Sequence, residues 1–253
     1  MSNERYSPTG FGFLPPVVKN LIIVNGLFFL ATLVLGQTMN IDLTDYLGLH
    51  YFVSPHFQPY QFVTYMFMHG SFSHILFNMF ALWMFGSVLE QVWGPKKFLI
   101  YYMVTGIGAA AIQMLVIYIQ VYNVESSLSP DLVAQIRETG TQIIQNGQNF
   151  SDPLMGKLNE LYNTATIGAS GAVFGLLLAF GMLFPNSLIY LYFFIPMKAK
   201  WFVILYGVIE LFSGVYYTGS NVAHFAHLGG MIFGFFLIIY WKKKADKHRI
   251  NNW

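Results

Sequence analysis

The sequence contains no cysteine among its 253 residues. This absence excludes disulfides, thiolate nucleophiles and thiolate metal sites. Charged residues are also scarce, since they make up 9% of the chain, against roughly 25% in a typical soluble domain. The composition therefore excludes an ordinary soluble domain. The formal net charge of +2 is too small to indicate a partner, and we expect no nucleic-acid ligand.

Hydrophobic residues, by contrast, make up 55% of the chain, and the mean hydropathy is +0.52. They occur in blocks of about 20 residues, the length of a helix that crosses a ~30 Å hydrocarbon core. The pattern predicts an all-α, polytopic membrane protein with a single membrane domain over residues 1–253 and no cleavable signal peptide. The six predicted spans are 17–36, 62–89, 97–121, 167–184, 199–216 and 222–241. The second is expected to enter the bilayer only near Ser71.

The distribution of Lys and Arg predicts the orientation of these spans. Only Arg137 and Lys157 fall in the segments on the far side from the termini. Because cytoplasmic loops are enriched in Lys and Arg, we expect both termini in the cytoplasm. The cationic residues expected on the cytoplasmic side are Arg5, Lys19, Lys96, Lys97, Lys198, Lys200, Lys242, Lys243, Lys244, Lys247 and Arg249.

Two segments are then expected outside. Residues 37–61 contain no Lys or Arg but several aromatic residues, which favours a loop on or partly in the outer leaflet, although an ordinary aromatic-rich loop fits as well. Residues 122–166 predict a helical insertion between the third and fourth spans. Residues 129–130 have the pattern of a helix start and Gly147 that of a helix stop, while residues 151–152 are typical of a second start.

Four polar side chains are predicted to lie at a similar depth, on the order of 10 Å below the outer surface. Ser170 and His227 lie a few residues into the fourth and sixth spans, and His74 and Asn78 share one face of the second. An intramembrane serine commonly bonds back to its own helix. Polar groups in hydrocarbon are costly, however, unless they face partners. The histidine at the same depth therefore indicates contact between the three spans.

Glycine pairs indicate how these helices approach each other. Gly171 and Gly175 form a GxxxG pair on the fourth span, and Gly230 and Gly234 form another on the sixth. Such faces would bring the serine within hydrogen-bond reach of the histidine, which is the arrangement of a nucleophile and its general base. No aspartate occurs in the sixth span or near the serine in the fourth, so we expect a dyad rather than a triad.

Three motifs of the sequence resemble those of the rhomboid family of intramembrane serine proteases. Residues 168–171 are similar to its G-x-S-G motif, and residues 69–78 resemble its second-helix motif. Residues 226–234 resemble the H-x-x-G-x-x-x-G motif of its sixth helix. The resemblance covers roughly residues 17–241. It implies a six-helix, bacterial type of enzyme in the cytoplasmic membrane, which cleaves transmembrane protein substrates near the outer surface through an acyl-enzyme.

The resemblance also implies roles for individual residues. Ser170 would be the nucleophile, His227 the general base, and His74 and Asn78 the side chains of the oxyanion hole. His224 is the competing candidate for the base, but only His227 is followed by glycines three and seven residues later. The implied supporting residues are Gly168, Gly171, Phe174, Gly230, Gly234, His69 and His224. We expect no cofactor and no metal; the implied partners are membrane-spanning substrates and the lipid bilayer.

The chain departs from the family pattern in three places. Tyr60-Gln61 stands where many bacterial members have Trp-Arg, which puts the anchoring of the first loop in doubt. Phe174 replaces a tyrosine but still offers a ring beside the histidine. The insertion at 122–166 is longer than in compact members, which leaves substrate access open.

Two acids in the predicted spans and two loop histidines complete the set of candidates. Glu90, near the inner end of the second span, is expected to bond to loop backbone or to a nearby lysine. Glu210, within the fifth span, is either structural or involved in substrate gating. His50 and His56, in the first loop, are expected to be surface residues.

Other functions remain open at this point. A non-catalytic relative would bind membrane clients without cutting them, but this chain retains both the serine and the histidine. A transporter or channel could use His69, His74, His224 and His227 as a proton or metal path, and Ser170 would then be dispensable. Other intramembrane protease chemistries lack support, since there is neither an H-E-x-x-H helix nor a pair of membrane aspartates.

Overall fold

The computed structural model describes residues 14–191, 194–216 and 223–250. Within these ranges the protein is an all-α, multi-pass membrane protein with five helices long and apolar enough to cross a bilayer and one shorter apolar helix. A small two-stranded sheet is added to them. The elements in chain order are α1 (Pro16–Met39), α2 (Leu43–Leu47), α3 (Gln61–Thr64), α4 (Phe72–Ala81), α5 (Ser87–Trp93), α6 (Pro95–Glu125), α7 (Pro130–Gln145), α8 (Pro153–Asn163), α9 (Ser170–Leu183), β1 (Leu188–Leu191), β2 (Ile195–Lys198), α10 (Ala199–Tyr216) and α11 (His224–Ile250).

The helix of the second span begins directly after Ser71. Ser71 is the N-cap of α4, and its side chain accepts a hydrogen bond from the backbone N–H of His74 at 3.2 Å. A wide turn at Leu82–Gly86 joins α4 to α5, so that the helix continues from residue 72 to residue 93. The helix start agrees with an entry near Ser71, and the point of entry into the bilayer stays a prediction. The start of the predicted sixth span at Val222 lies outside the described residues.

The fourth span is shorter than the others. Helix α9 has 14 residues, which corresponds to roughly 21 Å, less than a ~30 Å hydrocarbon core. It packs chiefly against α6 and α11, so that most of its surface is covered by protein.

The C-terminal end of the second span holds the start of the first. The carboxylate of Glu90, which is 2% exposed, accepts hydrogen bonds from the backbone N–H groups of Val17 at 3.0 Å and Val18 at 2.8 Å. These N–H groups have no partner within α1 because they lie in its first turn, and a negative charge there also complements the helix dipole. The expected structural role of Glu90 is confirmed, with the α1 backbone as its partner.

The insertion between α6 and α9 folds as two helices whose predicted starts are confirmed, although α6 continues to Glu125, beyond the predicted end of the third span at residue 121. Ser129 caps α7, and Asp152 caps α8 by accepting from two backbone N–H groups. Gly147 follows α7 with a φ of +71°, a conformation that favours glycine. The ring of Tyr162 on α8 stacks on Tyr51 of the first loop at 6.3 Å between centroids. The insertion is thus packed on the first loop.

Gln61 anchors that first loop. Its fully buried side chain accepts from the backbone N–H of His50 at 3.2 Å and donates to the carbonyls of His56 at 2.7 Å and Tyr46 at 3.1 Å. The predicted surface position of His50 is wrong, because this side chain is 1% exposed. Burial lowers the pKa of its imidazole. Whether the loop lies in the outer leaflet stays a prediction.

The hairpin of β1 and β2 was not predicted from the sequence. The two strands pair antiparallel between α9 and α10, with Leu188 opposite Lys198. Their aromatic and aliphatic residues continue the composition of the neighbouring spans, so hydropathy alone does not separate them from helix. The hairpin occupies the connection on the side opposite the insertion.

Candidate active site

The site is built on the first residue of α9. Ser170 begins the helix, and the chain reaches it through Gly168, whose φ of +122° suits only glycine. The backbone N–H of Gly168 donates to the carbonyl of Tyr65 at 2.9 Å. Two residues earlier, Thr166 pairs with Leu49 of the first loop through two backbone hydrogen bonds of 2.8 and 2.9 Å. The position of the serine therefore depends on the first loop.

The serine meets a histidine of the last helix. The Nε2 atom of His227 lies 2.8 Å from the Oγ atom of Ser170. His227 is 8% exposed, whereas Ser170 is half-buried. The ring of Phe174, one turn along α9, stacks on the imidazole at 4.2 Å between centroids with an interplanar angle of 6°. The expected ring beside the histidine is present, and it limits rotation of the imidazole.

Glycines allow this contact. A methyl group at Gly230 of α11 would overlap the carbonyl oxygen of Gly171 on α9, so the two backbones touch at this crossing. Gly175 and Gly234 instead face α6, where added methyl groups would overlap Thr105 and the hydroxyl of Tyr101. The two GxxxG pairs therefore join α9 and α11 to each other and to α6, rather than to each other alone.

His74 borders the same space as the serine. A Cβ atom at Gly168 would lie 2.7 Å from His74 Nε2 and 3.6 Å from Ser170 Oγ, so both groups lie against this glycine. Asn78, one turn further, is buried and donates through Nδ2 to the carbonyl of His74 at 2.9 Å. The buried ring of His69 packs edge-to-face on His74 at 4.9 Å between centroids.

An acid from the fifth span completes the cluster. The Oε2 atom of Glu210 on α10 lies 2.7 Å from Nδ1 of His224 and 2.9 Å from Nδ1 of His227. The sequence predicts a dyad because the fourth and sixth spans contain no aspartate near the serine or the histidine, but the carboxylate beside His227 is a glutamate of the fifth span. The ring of His224 is held by this acid, and His227 is the histidine at the serine.

This contact could have been found from the sequence in part. His224 and His227 are three residues apart and so share one face of α11. An acid within a membrane span also needs partners. What the sequence does not contain is the rotation of α10 that turns Glu210 toward that face.

The same three residues also include the donor set of a metal site. One ligand atom from each of Glu210, His224 and His227 lies within 4.8 Å of the others. Two imidazoles and a carboxylate are ligands that zinc accepts. Since the carboxylate already contacts both imidazoles, the cluster is held together by its own charges and hydrogen bonds.

Comparison with known proteins gives the family context. A protein-family profile described as "Eukaryotic integral membrane protein (DUF1751)" matches residues 21–252. The chain is 27% identical over 183 residues to "Rhomboid protein 1, mitochondrial" of Saccharomyces cerevisiae, covering 72% of this chain and 42% of that protein. It is 28% identical over 217 residues to "RHOMBOID-like protein 12, mitochondrial" of Arabidopsis thaliana, covering 85% and 55%. It is 27% identical over 197 residues to "Rhomboid protease AarA" of Providencia stuartii, covering 74% and 57%.

The chain thus spans about half of the length of the curated relatives it matches. The relatives come from a yeast, a plant and a bacterium, and the profile's description refers to eukaryotic proteins. The comparisons support a multi-pass membrane protein of the family that the sequence motifs resemble. The bacterial cytoplasmic membrane stays a prediction.

Proposed function

Since this chain belongs to the rhomboid family, we propose that it is an intramembrane serine endopeptidase. The observation that carries the proposal is the distance of 2.8 Å between Ser170 Oγ and His227 Nε2 in a partly buried site. A hydroxyl is a weak nucleophile until a neighbouring base takes its proton. The contact supplies that base on a neighbouring helix.

The proposed reaction uses these two residues in turn. Ser170 Oγ attacks the carbonyl carbon of the scissile peptide bond, and its proton passes to His227 Nε2. When the tetrahedral intermediate collapses, the C–N bond breaks and the leaving amine takes the proton from His227. Water then attacks the acyl-enzyme with His227 again as the base, which releases the new carboxylate and restores the serine.

The developing oxyanion needs hydrogen-bond donors. The backbone N–H of Ser170 is suitable because it lies at the start of a helix, where N–H groups have no partner within the helix. His74 borders the same space, as its Nε2 atom lies against Gly168. Asn78 has two amide N–H groups, of which one bonds the carbonyl of His74, and we assign the other to the oxyanion.

Substrates are proposed to be membrane-spanning helices whose outer ends contain small, helix-destabilising residues. A peptide bond within a stable helix is shielded by its own hydrogen bonds and by neighbouring side chains. The short α9 helix and the half-buried serine are consistent with a site below the outer surface that water reaches. We propose the same orientation as predicted, with both termini in the cytoplasm.

The proposal is tested by labelling the purified protein with a fluorophosphonate and mapping the adduct by mass spectrometry. We expect modification of Ser170 and a strong decrease in His227→Ala. Ser87 is the matched control, because it is a buried serine of the second span and should stay unmodified.

Two results would contradict the proposal. Folded wild-type protein that fails to react, while a known serine hydrolase reacts alongside, would favour a client-binding relative or a transporter. Labelling that is lost in His224→Ala but kept in His227→Ala would show that the base is assigned wrongly.

A further inference from the structure

Glu210 is an unusual residue for its helix. The lipid-facing side of α10 is apolar and exposed, for example at Ile204, Val208 and Phe212, whereas Glu210 is 8% exposed. A carboxylate inside a membrane span is expensive unless it has partners. Among the described residues, the carboxylate of Glu210 contacts the Nδ1 atoms of two histidines on α11. Its position is therefore tied to the imidazole that contacts the serine.

The two contacts differ in geometry. His224 Nδ1 hydrogen-bonds Glu210 Oε2 at 2.7 Å. His227 Nδ1 lies 2.9 Å from the same oxygen, but its N–H direction is not aligned with that oxygen. At this distance the contact is already electrostatic, and a small rotation of the carboxylate makes it a hydrogen bond. Catalytic hydrogen bonds are often poorly aligned before substrate binds.

We propose that Glu210 is a positioning residue that completes a Ser170–His227–Glu210 triad, with His224 holding the carboxylate in place. The inference rests on the proposed protease function. An acid at Nδ1 keeps the proton on that nitrogen, which leaves the lone pair of Nε2 free to accept from the serine. It also stabilises the imidazolium that forms during the attack.

The bond between Oγ and the carbonyl carbon forms as the carbonyl π electrons move to oxygen, and the Oγ proton moves to Nε2. His227 then carries a positive charge, and Glu210 remains ionised throughout. His224 Nδ1 keeps its hydrogen bond to Glu210 during the cycle, so the carboxylate stays beside His227.

The test compares two buried glutamates. In Glu210→Gln the side-chain shape is kept, but the amide N–H₂ can donate to His227 Nδ1, which moves the proton to Nε2 and blocks acceptance from the serine. We expect the rate of fluorophosphonate labelling at Ser170, per folded molecule, to fall at least about 100-fold. Glu90→Gln is the matched control, because Glu90 is also a buried membrane carboxylate but bonds the start of α1. Its labelling rate should stay within about 2-fold of wild type.

A second readout reports the contact itself and does not depend on the folding of Glu210→Gln. In fluorophosphonate-modified protein with ¹⁵N-labelled histidine, where the Nδ1–H of His227 is expected to align with Glu210, we expect a low-field ¹H NMR resonance from that Nδ1–H. It should disappear in His227→Ala and persist in Glu90→Gln. Loss of stability alone would not produce this pattern.

The outcomes separate the inference from the function on which it rests. If wild type is labelled at Ser170 but Glu210→Gln reacts equally fast, or if wild type lacks the low-field resonance, the triad is overturned while the protease proposal stands. If wild type is not labelled, both fail. If the purified protein holds one zinc ion that Glu210→Gln loses, the cluster is a metal site and the triad is likewise overturned.

Discussion

At the scale of single residues, Gln61 has more influence on the site than its distance along the chain suggests. Its three hydrogen bonds hold the first loop, and Leu49 of that loop pairs with Thr166, four residues before the serine. The residue at this place departs from the family pattern, yet it makes the bonds that an anchor requires. Gln61 therefore anchors the first loop at the place where the family pattern has an arginine.

We predict that Gln61→Leu lowers the free energy of unfolding by about 1–3 kcal/mol, because it leaves buried loop N–H and C=O groups without partners. The measurements are thermal unfolding in detergent and chymotrypsin cleavage within residues 46–60. The matched control is Gln58→Leu, since Gln58 is exposed on the same loop. An equal loss of stability in both variants would show that Gln61 is no special anchor.

The residues of the site differ in how far sequence alone could identify them. Ser170, His227 and His74 stand in local motifs with fixed spacing, so they could be chosen without knowing the packing. Glu210 could not be assigned, because its partners lie on another helix and its role depends on how α10 is rotated. The burial of His50 likewise follows from a long-range contact with Gln61.

At the scale of elements, the crossing of α9 and α11 decides whether the serine and the histidine meet. The backbones touch where Gly230 faces the carbonyl of Gly171. No other residue type leaves room for this approach. The geometry of the site therefore depends on the packing of the two helices as well as on the chemistry of its side chains.

We predict that Gly230→Ala lowers the free energy of unfolding by about 1–3 kcal/mol through overpacking and reduces labelling of Ser170 in the protein that still folds. Gly26→Ala on α1 is the control, because nothing lies within 4 Å of a Cβ atom there. That change should leave the free energy of unfolding unchanged or raise it by up to about 1 kcal/mol. Thermal unfolding and labelling of both variants are the measurements.

Normal stability and labelling in Gly230→Ala would contradict the tight crossing.

Two features of the fold were not predicted from the sequence, and they share one cause. The β1–β2 hairpin and the shortness of α9 both occur within apolar sequence, where hydropathy is uniform and tertiary contacts decide the boundaries.

At the scale of the whole molecule, the charge distribution and the fold point to one orientation. The contact of Glu90 with the start of α1 places the inner ends of the first two spans together. The insertion and the first loop pack on each other at the opposite end. Since the lysine-rich segments lie at the inner end, we propose that the insertion faces outward.

The absence of cysteine allows a direct test of this orientation. We predict that Gln148→Cys in the insertion reacts with a membrane-impermeant maleimide in intact bacterial spheroplasts. Lys243→Cys near the end of α11 should react only after permeabilisation. Both positions are exposed in the folded chain, so that differences in labelling report the side of the membrane. The reverse pattern would overturn the orientation, and with it the proposed access to the site from outside.

The central claim is tested most directly by cleavage of a membrane-spanning substrate in liposomes. The purified chain is reconstituted with a single-span reporter whose outer end is rich in small residues, and with a second reporter whose span is all leucine. We predict cleavage of the first near the outer surface, little cleavage of the second, and a loss on the order of 10³-fold or more in Ser170→Ala and His227→Ala. Cleavage that persists in Ser170→Ala, or equal cleavage of the leucine helix, would contradict the account.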